Sequence, residues 1–160
     1  MPALWRLNML NLPMHKVITA NAVGLRVIIP FLAAAAGGAA GATLRYAAYR
    51  LVGTDFPWAT FAVNIIGCCL ASFLMFRYGA DMHDTLKTLV FTGLFGAFTT
   101  MSTFSIDTVN LLASGSYWLA AGNVILNSVV CVAGAVLGRY IALLRRKSYL
   151  SITIVINLEL

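Results

Sequence analysis

Four long apolar stretches alternate with short polar connections along this chain. Each stretch carries few charges, and the approximate bounds are residues 28–51, 57–76, 87–111 and 117–144. A helix needs about 20 residues to cross the hydrocarbon core of a bilayer, and each stretch reaches that length. The pattern therefore predicts an all-α integral membrane protein with four transmembrane helices.

The same pattern divides the chain into three parts. We expect an N-terminal extension at residues 1–27, a four-helix membrane domain at 28–147 and a C-terminal tail at 148–160. Pro30 is expected in the first helical turn of the first span, and Pro57 is expected to open the second. Proline is tolerated at such positions because its missing N–H would have no helical partner there.

Composition supports a membrane protein and argues against a nucleic-acid partner. The chain is 61% hydrophobic and 10% charged, whereas soluble domains carry about 25% charged residues. Its net charge of +6 comes from basic residues near the ends of the spans, where they anchor helices at the membrane surface and favour cytoplasmic termini. We expect a multi-pass protein of the cell (inner) membrane that contacts the lipid bilayer.

Catalytic and metal-binding patterns are missing from the sequence. Cys68, Cys69 and Cys131 all lie inside apolar spans, where small packing residues are common. No Glu, Lys or His occurs in the apolar cores, and no nucleophile is matched with a base. The chain is therefore predicted not to be an enzyme, and a passive route for a small ion fits its composition better.

Polar residues inside the spans are the candidates for function. The third span contains a glycine-broken, hydroxyl-rich run at residues 93–105. That run predicts either a broken helix that exposes main-chain groups to ions or a continuous helix whose hydroxyls bond to the preceding turn. Asn64 and the stripe of Asn123, Asn127 and Cys131 either line a pore or join helices by hydrogen bonds.

Four motifs, taken in order, resemble those of the CrcB/Fluc family of fluoride channels. They are Gly37–Tyr46 (GGAAGATLRY), Thr60–Gly67 with Val63-Asn64, Gly93–Ser105 (GLFGAFTTMSTFS) and Asn123–Asn127 (NVILN). The resemblance covers about residues 28–144. It implies a fluoride-selective passive anion channel that lowers cytoplasmic fluoride, built as an antiparallel dual-topology homodimer with two pores.

The resemblance also implies roles for individual residues. A structural sodium ion at the dimer centre would be held by the backbone carbonyls of Gly96 and Thr99. Arg45 matches a vestibule arginine. The residues that match the family's fluoride pore are Asn64, Met101, Ser102, Thr103, Phe104 and Asn127. Met101 departs from the family pattern, which has a phenylalanine at that position.

Two other functions fit four short spans. A small proton-coupled multidrug exporter would need a buried carboxylate, for which Asp107 is the candidate. A purely structural membrane subunit would need no hydroxyl run in its third span.

Overall fold

The computed structural model describes the backbone of residues 14–52 and 56–158, and the side chains of residues 24–52 and 56–145. The first two spans are the helices α1 (Met14–Leu51) and α2 (Trp58–Tyr78). The third span consists of α3 (Asp84–Lys87), a π-helical stretch (Thr88–Phe95), α4 (Gly96–Phe98) and α5 (Met101–Ala113). The fourth span consists of α6 (Tyr117–Ile125), a second π-helical stretch (Leu126–Val130) and α7 (Cys131–Leu158).

Four helical segments are long and apolar enough to cross a membrane. They are Gly24–Leu51, Trp58–Tyr78, Asp84–Ala113 and Tyr117–Arg145. Large apolar side chains such as Phe31 and Trp118 are exposed on the outside of the bundle, as expected for helices surrounded by lipid. These segments confirm the predicted all-helical, multi-pass membrane protein.

Several helix ends differ from the predicted bounds. Helix α1 begins at Met14, ahead of the predicted start at residue 28, so Pro30 lies inside the helix and not in its first turn. Proline is tolerated inside a membrane-spanning helix where neighbouring groups bond the freed backbone. At the other end, α7 continues to Leu158, through most of the predicted tail. Residues 1–13 of the predicted extension lie outside the described residues.

Glycines bring α1 against the third span. A Cβ atom added at Gly37 would overlap the Leu89 carbonyl, and one added at Gly41 would overlap the Leu94 carbonyl. Small residues four apart allow such close approach of helix backbones, which compensates for the lack of a hydrophobic driving force in lipid. This pair of glycines therefore fixes the position of the third span relative to α1.

Close packing at glycines four residues apart also joins α2 to α7. A Cβ atom at Gly138 would overlap the Cys69 carbonyl, and one at Gly134 would lie 3.2 Å from Ile65 Cγ1. The bundle thus consists of two close helix pairs, α1 with the third span and α2 with α7. The polar side chains described next lie where α2, α5 and the fourth span meet.

Candidate functional site

The centre of the site is a pair of extended residues in the third span. Helix α4 ends at Phe98, and α5 begins at Met101. Between them, Thr99 has φ −77° and ψ 157°, and Thr100 has φ −149° and ψ 111°. The Thr99 N–H still donates to the Phe95 carbonyl at 3.0 Å, as at a helix end, but the main-chain groups of Thr100 need partners from outside the helix.

Asn64 of α2 provides those partners for Thr100. Its Oδ1 accepts the Thr100 N–H at 2.8 Å, and its Nδ2 donates to the Thr100 carbonyl at 3.2 Å. Both residues are buried. A single amide therefore satisfies both main-chain groups of Thr100, which stabilises the extended conformation in an apolar environment.

This arrangement removes the helical donors of two carbonyls. In a continuous α-helix the Thr100 N–H would bond to the Gly96 carbonyl, but here it donates to Asn64. Likewise the Thr103 N–H would bond to the Thr99 carbonyl, but it donates to Thr100 Oγ1 at 3.2 Å, as at a helix N-cap. Gly96 and Thr99 therefore each carry a carbonyl oxygen that has lost its helical donor.

A ladder of three amides continues from Asn64 into the fourth span. Asn64 Nδ2 donates to Asn127 Oδ1 at 2.8 Å, and Asn127 Nδ2 donates to Asn123 Oδ1 at 2.9 Å and to the Asn123 carbonyl at 3.1 Å. Asn123 is fully buried, and its Nδ2 donates to Thr108 Oγ1 at 2.9 Å. The amide ladder (Asn64, Asn127 and Asn123) thus links α2, the fourth span and α5. Both Nδ2 protons of Asn64 are used, one on the Thr100 carbonyl and one on Asn127.

The hydroxyls of the third span divide into two groups. Ser105 and Thr108 donate to the carbonyls of the preceding turn at 2.9 and 2.8 Å. Thr100, Ser102 and Thr103 instead form a cluster, in which Thr100 Oγ1 lies 3.0 Å from Thr103 Oγ1 and 3.3 Å from Ser102 Oγ. The hydroxyls of this second group thus contact one another instead of the carbonyls of the preceding turn.

Phe104 and Met101 occupy different environments in this chain. The Phe104 side chain is buried, and its carbonyl accepts from Thr108 at 2.8 Å. Met101, the first residue of α5, is 72% exposed. The structure therefore places Phe104 beside the amide ladder and Met101 on the surface of the single chain.

Arg45 lines a polar cavity of about 400 Å³ together with Ala42, Tyr46, Tyr49 and Thr103. Thr103 therefore connects this cavity with the hydroxyl cluster. Next to it, Thr60 Oγ1 donates to Asp107 Oδ2 at 2.6 Å and lies 2.7 Å from Tyr49 Oη. Because the Thr60 proton is used on Asp107, Tyr49 donates to Thr60 in the second contact, and the two hydroxyls form a chain that ends on the carboxylate.

The structure brings most of the predicted pore residues into one connected region. Asn64 and Asn127 belong to the ladder, Ser102 and Thr103 to the hydroxyl cluster, and the Phe104 carbonyl lies 3.5 Å from Asn123 Nδ2. Sequence reasoning did not assign roles to several residues that complete this region: Tyr49, Thr60, Thr100 and Thr108. Thr60 and Thr100 lie inside the quoted motifs, but only the fold shows their hydrogen bonds. Within the described residues, no group of His, Cys, Asp or Glu could hold a metal ion.

Four spans that enclose buried amides and hydroxyls define a small multi-pass membrane protein with a polar interior. Residues 32–139 match the family model described as "CrcB-like protein, Camphor Resistance (CrcB)". That match covers more than half of the chain, and the chain belongs to the CrcB family.

Curated relatives agree with this assignment. A protein of Magnetococcus marinus named "Fluoride-specific ion channel FluC" is 44% identical over 110 residues, which are 65% of this chain and 89% of the relative. Proteins of the same name from Dehalococcoides mccartyi and Coxiella burnetii are 37% and 38% identical, over 71% of this chain and 92% and 94% of theirs. The relatives are named as ion channels, which confirms the prediction that the chain is not an enzyme.

Proposed function

We propose that this protein is a fluoride-selective passive anion channel of the cell inner membrane that lowers cytoplasmic fluoride. The observation that carries the proposal is the Asn64–Thr100 pairing, which sets strong hydrogen-bond donors beside an extended stretch of the third span. The choice of fluoride as the transported ion rests on the relatives, which are named as fluoride-specific channels. Donors of this kind suit fluoride, because a pore must replace the tightly held water of a small anion.

The amide ladder and the hydroxyl cluster form the polar lining of the proposed pore. A fluoride ion beside Asn64 would replace Asn127 Oδ1 as the acceptor of one Nδ2 proton. Ser102 and Thr103 would add hydroxyl donors, and the ring edge of Phe104 would add partial positive charge. The ladder contains no acidic residue that would repel an anion. Arg45 would attract anions into the cavity that Thr103 shares.

No proton coupling is required for such a route. Fluoride enters acidified cells as the neutral acid and dissociates inside, and the negative-inside potential then drives the anion outward. The competing multidrug exporter would need Asp107 to exchange protons for cations. The Asp107 carboxylate instead accepts a hydrogen bond from Thr60, one residue of a part-buried hydroxyl pair with Tyr49.

The proposed working unit is an antiparallel dual-topology homodimer in which the third span acts as a broken helix. Gly96 is exposed in the single chain, as is Met101. Contact with a second subunit would cover polar main chain that lipid cannot satisfy. The same contact would bring Met101 toward the partner subunit.

We further propose a structural sodium ion at the centre of this dimer. Carbonyl oxygens are hard ligands that suit sodium, and helix C-termini direct their carbonyls toward cations. In this chain the carbonyls of Gly96 and Thr99 could serve as such ligands, because they lack their helical donors. Two such carbonyls from each subunit would form a site of four oxygens.

Fluoride efflux from liposomes, followed with a fluoride electrode, tests the function. Liposomes loaded with potassium fluoride and treated with valinomycin should release fluoride rapidly when they contain the protein, without any proton gradient. Proton-dependent uptake of a cationic dye with no fluoride release would support the exporter instead. Neither activity in a folded sample would support a structural subunit.

Separate measurements test the assembly. Native mass spectrometry should give a dimer, and reporters fused to the C-terminus should appear on both sides of the membrane. The basic residues favour a single orientation, so reporters on the cytoplasmic side alone would contradict dual topology. Replacement of sodium by N-methylglucamine should weaken the dimer if the proposed ion is structural.

A further inference from the structure

A second cavity, of about 530 Å³, shares no residue with the proposed pore. Helix α1 contributes Arg26, Ile29 and Pro30 to its walls, and the third span contributes His83 to Thr85 and Thr88. The third membrane-crossing segment begins at Asp84, and Arg26 directly precedes the uncharged stretch of α1. The cavity therefore lies at the boundary between the apolar slab and the water, where lipid headgroups are found.

The polar groups of this cavity are mainly hydrogen-bond donors. Arg26 carries a permanently charged guanidinium group with five N–H donors. His83 Nδ1 accepts the Thr85 N–H at 3.3 Å, so the neutral imidazole carries its proton on Nε2 and donates from there. The carboxylate of Asp84 lies 3.5 Å from Lys87 Nζ, and its side chain is 96% exposed. The Asp84 charge is thus screened by water and offset by Lys87, which leaves the Arg26 guanidinium to bind an anion in the cavity.

One part of the cavity wall is apolar. Ile29 and Pro30 form it, about one helical turn beyond Arg26 on α1, and Ile29 is 44% exposed. An occupant that satisfies both parts of the wall has an anionic group at one end and hydrocarbon at the other. Basic pockets between transmembrane helices at the membrane surface bind lipid phosphates in this way, and arginine bonds phosphate oxygens through two parallel N–H groups.

We propose that this cavity binds the phosphodiester headgroup of an anionic glycerophospholipid. Arg26 and His83 hold the phosphate oxygens, and the first part of an acyl chain covers Ile29 and Pro30. Inorganic phosphate offers the same oxygen acceptors, but it would leave the apolar wall uncovered. The proposal does not depend on fluoride transport, so its test uses binding alone.

The test is native mass spectrometry of the purified full chain titrated with phosphatidylglycerol or with phosphatidylcholine. The unmodified protein should retain phosphatidylglycerol more tightly, because the zwitterionic lipid has no net negative charge. Arg26→Gln should lower the affinity for phosphatidylglycerol about fivefold, the effect of one basic residue near the surface. Arg50→Gln is the matched control, since Arg50 is an exposed arginine in the last turn of α1, and its affinity should not change.

Three results would overturn the proposal. Equal retention of the two lipids by the unmodified protein would show that the cavity does not select an anionic headgroup, whatever the variants do. Equal losses in Arg26→Gln and Arg50→Gln would indicate general attraction to a basic surface. Displacement of phosphatidylglycerol by millimolar inorganic phosphate would show a site for the free anion. Circular dichroism checks that both variants are folded, so that the affinities compared are those of folded proteins.

Discussion

Asn64 and Thr100 exchange two hydrogen bonds, of 2.8 and 3.2 Å, across the interior of the bundle. Their geometry satisfies the N–H and the carbonyl of one extended residue with one side-chain amide. The conformation of the third span at this point therefore depends on a residue of α2. The second Nδ2 proton of Asn64 is donated to Asn127 Oδ1 at 2.8 Å. The orientation of the Asn64 amide, and with it the conformation of Thr100, therefore also depends on the fourth span.

Asn64→Asp should abolish fluoride efflux and reduce stability. An ionised carboxylate has no donor, yet it would face the Thr100 carbonyl and Asn127 Oδ1, both of which are acceptors. A buried group left without its partner costs about 1–3 kcal/mol. If that cost falls on the conducting state, efflux should drop about tenfold or more. The fluoride electrode gives the rate, and thermal unfolding in detergent gives the stability.

Asn110→Asp is the matched control for this substitution. Asn110 is an exposed residue of α5, so the same chemical change should leave both efflux and the unfolding temperature near the unmodified values. A wild-type rate in Asn64→Asp would remove Asn64 from the pore. Equal losses in both variants would mean that added negative charge, and not position, reduces efflux.

Phe104→Ile should also abolish efflux, with the dimer retained. The substitution keeps an apolar side chain in a buried position but removes the ring edge, whose partial positive charge suits an anion. Loss of packing should cost about 1–3 kcal/mol, as for other shape changes in a core. Native mass spectrometry checks the dimer, and the fluoride electrode checks the rate.

The control for the ring is Phe31→Ile. Phe31 lies on the outer face of α1 and is 72% exposed, so its replacement should have little effect on either measurement. Normal efflux in Phe104→Ile would exclude the ring from the conduction path. Loss of the dimer in that variant would assign Phe104 to assembly instead.

The four spans could be predicted from the sequence because each depends on local composition. An uncharged stretch of about 20 residues has few alternatives to a membrane helix. The chain ends were harder to place. Pro30 was expected to begin a helix, but Met14 begins it, since a membrane helix can contain proline.

The details of the site could not be predicted from the sequence, because they depend on contacts between spans. The hydroxyl run at residues 93–105 was compatible with back-bonding or with an interruption, and the structure contains back-bonded hydroxyls as well as the extended pair Thr99–Thr100. The π-helical stretches at Thr88–Phe95 and Leu126–Val130 have no signal in a 3.6-residue pattern. Thr60 was quoted in a motif, but its bond to Asp107 spans 47 positions.

Met101→Phe should increase fluoride efflux. The substitution places a phenylalanine at the first position of α5, where the CrcB/Fluc family motif has one. A ring edge attracts an anion more strongly than a thioether does. Met101 is 72% exposed in the single chain, so the larger ring should not disturb packing within one subunit. Initial rates at several fluoride concentrations provide the measurement, and Met75→Phe, another exposed methionine, is the control. An unchanged or lower rate in Met101→Phe would show that conduction does not use a ring at this position.

Gly37→Ala should destabilise the protein, whereas Gly38→Ala should not. A Cβ atom at Gly37 would overlap the Leu89 carbonyl and would lie 2.9 Å from the Leu94 nitrogen, so α1 and the third span would have to separate. Overpacking of this kind costs about 1–3 kcal/mol. A Cβ atom at Gly38 would meet nothing within 4 Å, and alanine there should stabilise the helix by up to about 1 kcal/mol. Thermal unfolding of the two variants in the same detergent gives the comparison. Equal stability would contradict the close packing of α1 against the third span.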